Sequence, residues 1–358
     1  MDYIDETRAA VEWKTTREQV VNWCARALVP GAELSEGRWK IPSPSPRPLQ
    51  EDLVTHKAVP MAKPFLKWAG GKTQILDQIR ARYPEGLGRR LDRYAEPFVG
   101  SGAVLFDVLN RYDLKEIYIG DINRELITCY EMVRDRVDDV VTTLEKIEKD
   151  YLPGSIAERK LFYAEARNRF NQLKKEASHG TELAALFIFL NHTCFNGLYR
   201  VNSDGEFNVP MGSYRNPTIC DGRNLRAVSQ ALAGVTITCA EYPKSMDFIN
   251  SECFVYIDPP YRPLSSTSSF TSYDQYAFGD DQQASLARFV DAIVDKGAYV
   301  LVSNSDPKNT SPTDDFFDEL YVKHAIERIK AVRVINSVAS GRGAITELLI
   351  IGNKLAQL

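Results

Sequence analysis

The chain has 358 residues, enough for one large domain or two ordinary ones. Its content, 44% hydrophobic and 26% charged, is that of a globular protein and excludes a disordered one. Formal net charge is −4, from 44 basic and 48 acidic residues, which excludes a histone-like or arm-type nucleic-acid binder but not a local basic patch. The longest apolar run, Leu183 to Leu190, has eight residues, too few to span a bilayer. Met1 to Glu6 carries neither the cationic start nor the apolar centre of a secretory signal. Six cysteines without a C-x-x-C, and four histidines without ligand spacing, argue against a metal site or a disulfide scaffold. The expected setting is a reducing cytoplasm. Charge is uneven along the chain. Residues 60–95 hold eight Lys or Arg against three acids, and residues 107–150 hold seven against twelve. Residues 320–345 hold five basic residues against Glu327 alone.

In chain order, Thr15-Thr16-Arg17-Glu18 offers a helix start, followed by an apolar face at Val20, Val21, Cys24 and Leu28. With Gly37-Arg38-Trp39-Lys40-Ile41-Pro42 as a wing strand, this segment resembles an excisionase-type helix-turn-helix over about thirty residues. A simple amphipathic packing element is the other reading. Residues 41–63 begin with alternating Pro and Ser and read as an extended linker. Leu91 to Phe98 reads as a strand, Val99-Gly100-Ser101-Gly102 as a turn, Ala103 to Asn110 as a helix, and Ile117 onward as a second strand ending at Asp121. Residues 124–190 are helical in pattern, and residues 191–222 form a structured loop region rich in Asn, Gly and Pro. A buried strand returns at Cys253 to Ile257. A helix capped by Asp280-Asp281 carries a stripe of Leu286, Phe289, Val290, Ile293 and Val294 and ends at Gly297. Ala298 to Ser303 and Ile345 to Gly352 complete an α/β sheet that carries a helical insert.

Two familiar nucleotide motifs fail on inspection. Ala69-Gly70-Gly71-Lys72-Thr73 looks like the tail of a P-loop, but the required first glycine position is Leu66. Gly100-Ser101-Gly102 starts a dinucleotide fingerprint whose third glycine position is Leu105. What survives is a nucleoside-shaped site. Two glycines at a strand end permit close backbone approach, and Asp121, nineteen residues after Gly102, can accept from ribose hydroxyls. A purely structural βαβ turn fits the same residues. Asp258-Pro259-Pro260-Tyr261 directly follows an apolar strand, where a carboxylate can accept from an exocyclic amine and a ring can stack on an extruded base.

With these motifs in place, the chain resembles the Dam-type, alpha-class (D12) DNA adenine-N6 methyltransferases over residues 64–352. The likeness rests on Pro64 to Lys72, Glu96 to Gly102, Asp121-Ile122-Asn123, Asn196 to Arg200, Gly205 to Pro210, Asp258 to Tyr261 and Phe270-Thr271-Ser272-Tyr273. It implies a Rossmann-like methyltransferase sheet with an inserted, mainly helical target-recognition domain. The implied division is an N-terminal extension at 1–60, a catalytic domain at 61–125 and 225–358, and a recognition domain at 126–224. It further implies S-adenosyl-L-methionine held by Trp68, Lys72, Phe98, Gly100, Gly102, Asp121 and Asp258, with Glu241 and Tyr242 around its adenine. Double-stranded DNA is the implied partner, with Lys67, Phe195, Asn196, Leu198, Arg200, Pro210 and Tyr214 at positions that read or grip a GATC site. Phe195 falls where the family inserts an aromatic ring into the stack. Arg200 would fork onto guanine, and Leu198 with Pro210 would meet a thymine methyl. A cognate restriction endonuclease is a partner that the resemblance leaves open.

The implied chemistry follows from the motif. Hydrogen bonds from the adenine amine to the Asp258 carboxylate and the Pro259 carbonyl draw the nitrogen toward sp³ geometry, while Pro260 fixes the turn and Tyr261 stacks on the base. No metal and no catalytic cysteine enter this scheme. Three other readings share parts of it: an N4-cytosine methyltransferase, a ribosomal-RNA adenine methyltransferase and a catalytically silent DNA-binding subunit.

Overall fold

A computed structural model describes residues 2–25, 29, 31–35, 38–44, 61–68, 70–262, 278–332 and 344–353. The Phe270 to Tyr273 motif and Leu28 lie outside the described residues. No helix among the described residues is long and apolar enough to cross a membrane.

The N-terminal residues build a small unit with its own core. Asp5 caps a helix at Glu6–Glu12 by accepting from the Thr7 and Arg8 amides at 3.0 and 2.8 Å. A second helix follows at Arg17–Ala25, as the Thr15 to Glu18 signal predicts. Val20 and Cys24 are buried in it, while Trp23 supplies more core than the half-exposed Val21. Three antiparallel strands, β1 (Asp2–Ile4), β2 (Glu33–Ser35) and β3 (Arg38–Ser43), lie in the order β1-β3-β2. Glu6 joins the parts, accepting from Arg17 at 2.7 Å and from the Trp39 amide at 3.0 Å. The linker therefore does not begin at residue 41. Pro42 pairs with Tyr3 in β3, and β2 pairs only as far as Lys40, so the missing proline N–H leaves no bond to β2 unmade.

The main sheet has seven strands: β4 (Arg93–Glu96), β5 (Glu116–Asp121), β6 (Thr236–Cys239), β7 (Cys253–Ile257), β8 (Tyr299–Ser305), β9 (Ala325–Val332) and β10 (Ala344–Gly352). Their order is β6-β5-β4-β7-β8-β10-β9, with β10 antiparallel to both neighbours and the first five mutually parallel. This is the α/β architecture that the sequence pattern implies, a parallel sheet with one reversed strand. All five side chains of β7 are buried, as its unbroken apolar run requires of a central parallel strand. The helix Asp280–Asp295 covers one face through the whole predicted stripe, with Leu286, Val290 and Ile293 fully buried. Its cap differs from the expectation. Gly279 is the N-cap, its amide bonded to Gln282 at 3.1 Å, while Asp280 lies in the first turn and holds Arg262 at 2.6 Å. Acids suit that turn because they face the exposed amides of the helix start.

Between β5 and β6 run the helices Arg124–Asp135, Val137–Tyr151, Ile156–Lys175, Thr181–Thr193 and Gly222–Ala231. They share one continuous core with the other face of the sheet, through Phe65, Phe106 and Tyr130. The near-apolar helix Thr181–Thr193 is buried on all sides, which explains its lack of a polar face.

Candidate active site

The site forms where the strand order reverses. From β4 the chain steps outward through β5 to β6, and from β7 it steps the other way to β8, so the carboxyl ends of β4 and β7 flank a crevice. Into it open a turn with left-handed glycines, Gly100 at φ 47° and Gly102 at φ 70°. A Cβ at Gly100 would stand 2.9 Å from the Trp68 ring, and one at Gly102 2.7 Å from the Tyr130 hydroxyl, so side chains are excluded at both.

The crevice deepens into a cavity of about 1040 Å³. Trp68, Lys72, Phe98, Gly100, Asp121, Glu241 and Tyr242 all line it, and so do Asp258, Pro259, Pro260 and Tyr261. Gly102 is not one of its walls; it starts the helix Ala103–Leu109 behind the turn. Asp121 ends β5 and accepts from the Gly100 amide at 3.2 Å and the Asn123 amide at 2.9 Å. Burial raises its pKa, against the lowering pull of those amides. Its oxygens thus brace the glycine turn and still keep lone pairs for a ligand hydroxyl. Phe98 and Tyr242 stack at 5.4 Å, forming an aromatic wall beside the exposed Glu241.

Lys72 stands differently from a simple cofactor contact. It is 3% exposed, and its ammonium pairs with Asp258 Oδ1 at 2.7 Å and donates to the Gly70 carbonyl at 2.8 Å. The same ammonium lies 4.9 Å from the Tyr261 ring centre. Tyr261 is mostly buried and donates to Glu347 at 3.0 Å, so it also has a packing role that its motif did not suggest. Glu96, at the end of β4, is fully buried and accepts from Tyr94 at 2.6 Å. Burial chiefly, and the nearby Asp258 charge, push its carboxyl up to about 8 despite the Tyr94 bond.

The residues matched to DNA contacts lie on an outward face. Phe195, Asn196, Leu198 and Arg200 are exposed, while Gly197 is buried and Tyr199 half-buried between them. Lys67, Pro210 and Tyr214 are exposed as well, with the Lys67 ammonium 4.2 Å over the Tyr214 ring. Asn196 takes a left-handed φ of 54°, which Asn tolerates, and the Phe195 amide donates to the Pro210 carbonyl at 2.9 Å. Arg200 donates through Nε to Asn208 at 2.8 Å. Buried Asn191 ties the two strips together. It accepts from the Lys67 amide and donates to the Lys67 carbonyl, both at 2.8 Å, and donates to the Gly197 carbonyl at 3.1 Å. Asn191 and Glu96 were not read from the sequence as site residues, although Glu96 opens a quoted motif.

Known proteins are similar to this chain in sequence. The family described as D12 class N6 adenine-specific DNA methyltransferase matches residues 68–335. The chain is 46% identical over 290 residues to the type II methyltransferase M.MjaIII of Methanocaldococcus jannaschii, covering 80% of this chain and 98% of that protein. It is 34% identical over 290 residues to the type II methyltransferase M1.LlaDCHI of Lactococcus lactis, covering 80% and 94%. It is 34% identical over 285 residues to the DNA adenine methylase of Escherichia coli, covering 80% and 93%.

The raised Glu96 pKa has a consequence for stability. In the folded state this carboxyl keeps its proton until about 8, whereas an unfolded chain releases it near 4.5. Folded protein binds the extra proton between those values, so stability present at low pH is lost as pH rises through 8. Glu96→Gln should flatten this loss. Urea unfolding at about pH 6 and about pH 9 checks it, and equal slopes for both proteins would contradict the assignment.

Proposed function

This chain belongs to the D12 class of N6 adenine-specific DNA methyltransferases, and from that premise we propose which of its residues carry the reaction, and at which sequence. The enzyme methylates N6 of adenine in DNA; the cytosine, ribosomal-RNA and silent-subunit readings give way to the family match. We assign S-adenosyl-L-methionine as the donor, double-stranded DNA as the substrate and GATC as the target. The observation that carries the catalytic assignment is the Asp258 carboxylate at the cavity wall, held through one oxygen by a buried lysine.

The bound cofactor supplies a methyl group on a sulfonium, which is already a good leaving group. The cavity fits a nucleoside with an amino-acid tail: Asp121 offers acceptors for ribose hydroxyls, and Phe98, Tyr242 and Trp68 offer flat apolar walls. The chain's own contribution is to an amine whose lone pair is delocalised into its ring. Asp258 and the Pro259 carbonyl accept the two N6 hydrogens and turn the lone pair toward the methyl. Tyr261 holds the extruded base by its face, and Lys72 holds the Asp258 carboxylate in place through one oxygen. Positioning of this kind would supply much of the acceleration, with the sulfonium leaving as a neutral thioether and one N6 hydrogen leaving to solvent as a proton.

For the DNA, the exposed strip from Phe195 to Arg200 supports base reading. Among the described residues Arg200 is held by Asn208 through Nε alone, which leaves its two terminal nitrogens for a guanine edge. Phe195, 52% exposed, is a ring free to wedge into a base stack, where its burial would offset part of the cost of unstacking.

Two measurements test these roles. Tyr261→Ala and Asp258→Ala should each lower turnover roughly a hundredfold or more. Near-normal turnover by Asp258→Ala contradicts the catalytic role. Arg200→Ala should cost about 1–3 kcal/mol of discrimination at one base position, read by methylation of GATC and its single-base variants. A uniform drop across all oligonucleotides would instead mean that Arg200 grips the backbone.

A further inference from the structure

The Asp258 carboxylate and the two proline carbonyls offer more acceptors than an amine with two hydrogens can use. Two buried struts reduce that number. Ser303, on β8 and fully buried, donates to Asp258 Oδ1 at 3.0 Å, the same oxygen that Lys72 takes at 2.7 Å. Behind it the Tyr256 hydroxyl, also buried, meets the Ser303 hydroxyl at 2.9 Å. The second strut holds the next peptide. Fully buried Gln283, on the helix Asp280–Asp295, donates to the Pro260 carbonyl at 3.1 Å. Its own oxygen accepts from fully buried Asn304 at 3.1 Å. Ser303 and Asn304 are consecutive near the carboxyl end of β8, so one strand end supports both acceptor-blocking contacts from its two faces. Among the described residues no donor reaches Asp258 Oδ2 or the Pro259 carbonyl.

We propose that Ser303 and Gln283 are positioning residues that select the acceptor pair for the adenine amine. By occupying Asp258 Oδ1 and the Pro260 carbonyl, they leave Oδ2 and the Pro259 carbonyl as the two acceptors facing the base. Buried polar side chains are costly unless bonded, and here each is bonded to the motif. A hydroxyl and an amide inside a strand–helix interface otherwise weaken the core that surrounds them, so packing alone does not account for them. The proposal rests on Asp258 and Pro259 as the amine's acceptors.

The test uses the full-length enzyme in single-turnover methyl transfer to a duplex with one target adenine. A second duplex with 2-aminopurine at that position reports base extrusion. Ser303→Ala and Gln283→Leu should each slow transfer about tenfold, while cofactor affinity, DNA affinity and the extrusion signal stay within about twofold. Tyr256→Phe, which removes one oxygen only, should slow transfer less. Adding it to Ser303→Ala should slow transfer no further, because both act through one carboxylate oxygen. Transfer rates near wild type for Ser303→Ala and Gln283→Leu overturn the proposal, and so does a parallel loss of affinity, extrusion and rate. Asp258→Ala in the same assay separates the two levels. If it transfers normally, the acceptor assignment itself falls; if it is inactive while Ser303→Ala and Gln283→Leu are normal, only the positioning role falls.

Discussion

The ion pair between Lys72 and Asp258 organises the rest of the site. A lysine that is 3% exposed has lost its water, and only a nearby anion makes that tolerable. The anion it finds ends a central strand and opens into the cavity, so the cost of burying the lysine fixes the Asp258 carboxylate in place. Lys72 starts a short turn at Lys72–Gln74, ahead of the first strand of the sheet, whereas Asp258 follows the fourth strand in chain order. The pair therefore closes the crevice from a segment outside the sheet. Glu96 completes the electrostatics. Burial beside Asp258 keeps it protonated into the neutral range, so one cation faces one anion rather than two.

The same bracing extends to the exposed strip from Phe195 to Arg200. Trp68, a wall of the cavity, stacks on Tyr199 at 6.0 Å and 21°. Tyr199 in turn donates to Glu125 at 2.8 Å and accepts from Lys174 at 2.7 Å. Inward Tyr199 and Gly197 alternate with outward Phe195, Asn196, Leu198 and Arg200, so each exposed side chain is set against a buried neighbour. Asn191 adds a polar tie between Lys67 and Gly197. A strip braced in this way would hold its distance from Asp258, which the proposed extrusion of a base into that cavity requires.

Much of this was legible in the sequence, because the fold is dictated by patterns of burial. The Cys253 to Ile257 run and the Leu286 to Val294 stripe are core in every residue they named. Motif residues such as Asp258 and Asp121 lie at strand ends, where such sheets bind ligands. Other features escaped for identifiable reasons. β9 (Ala325–Val332) mixes charge with apolar residues because one edge of the strand lies at the rim of the sheet. The cap at Gly279 was read onto Asp280 because an acid in the first turn and an acid at the cap look alike in sequence. Ser303, Gln283 and Asn191 are buried polar residues whose roles come from partners distant in the chain, and no local spacing encodes that. Lys72 was legible as a cavity residue, but its pairing with Asp258 spans most of the catalytic region.

The family likeness casts Lys72 as a cofactor contact, and the geometry casts it first as the anchor of Asp258. Single-turnover methyl transfer and cofactor binding by Lys72→Met distinguish the two. The anchoring account predicts a transfer rate reduced about tenfold or more, with cofactor affinity changed by less than about threefold. A normal transfer rate at saturating cofactor, combined with clearly weakened cofactor binding, would contradict it.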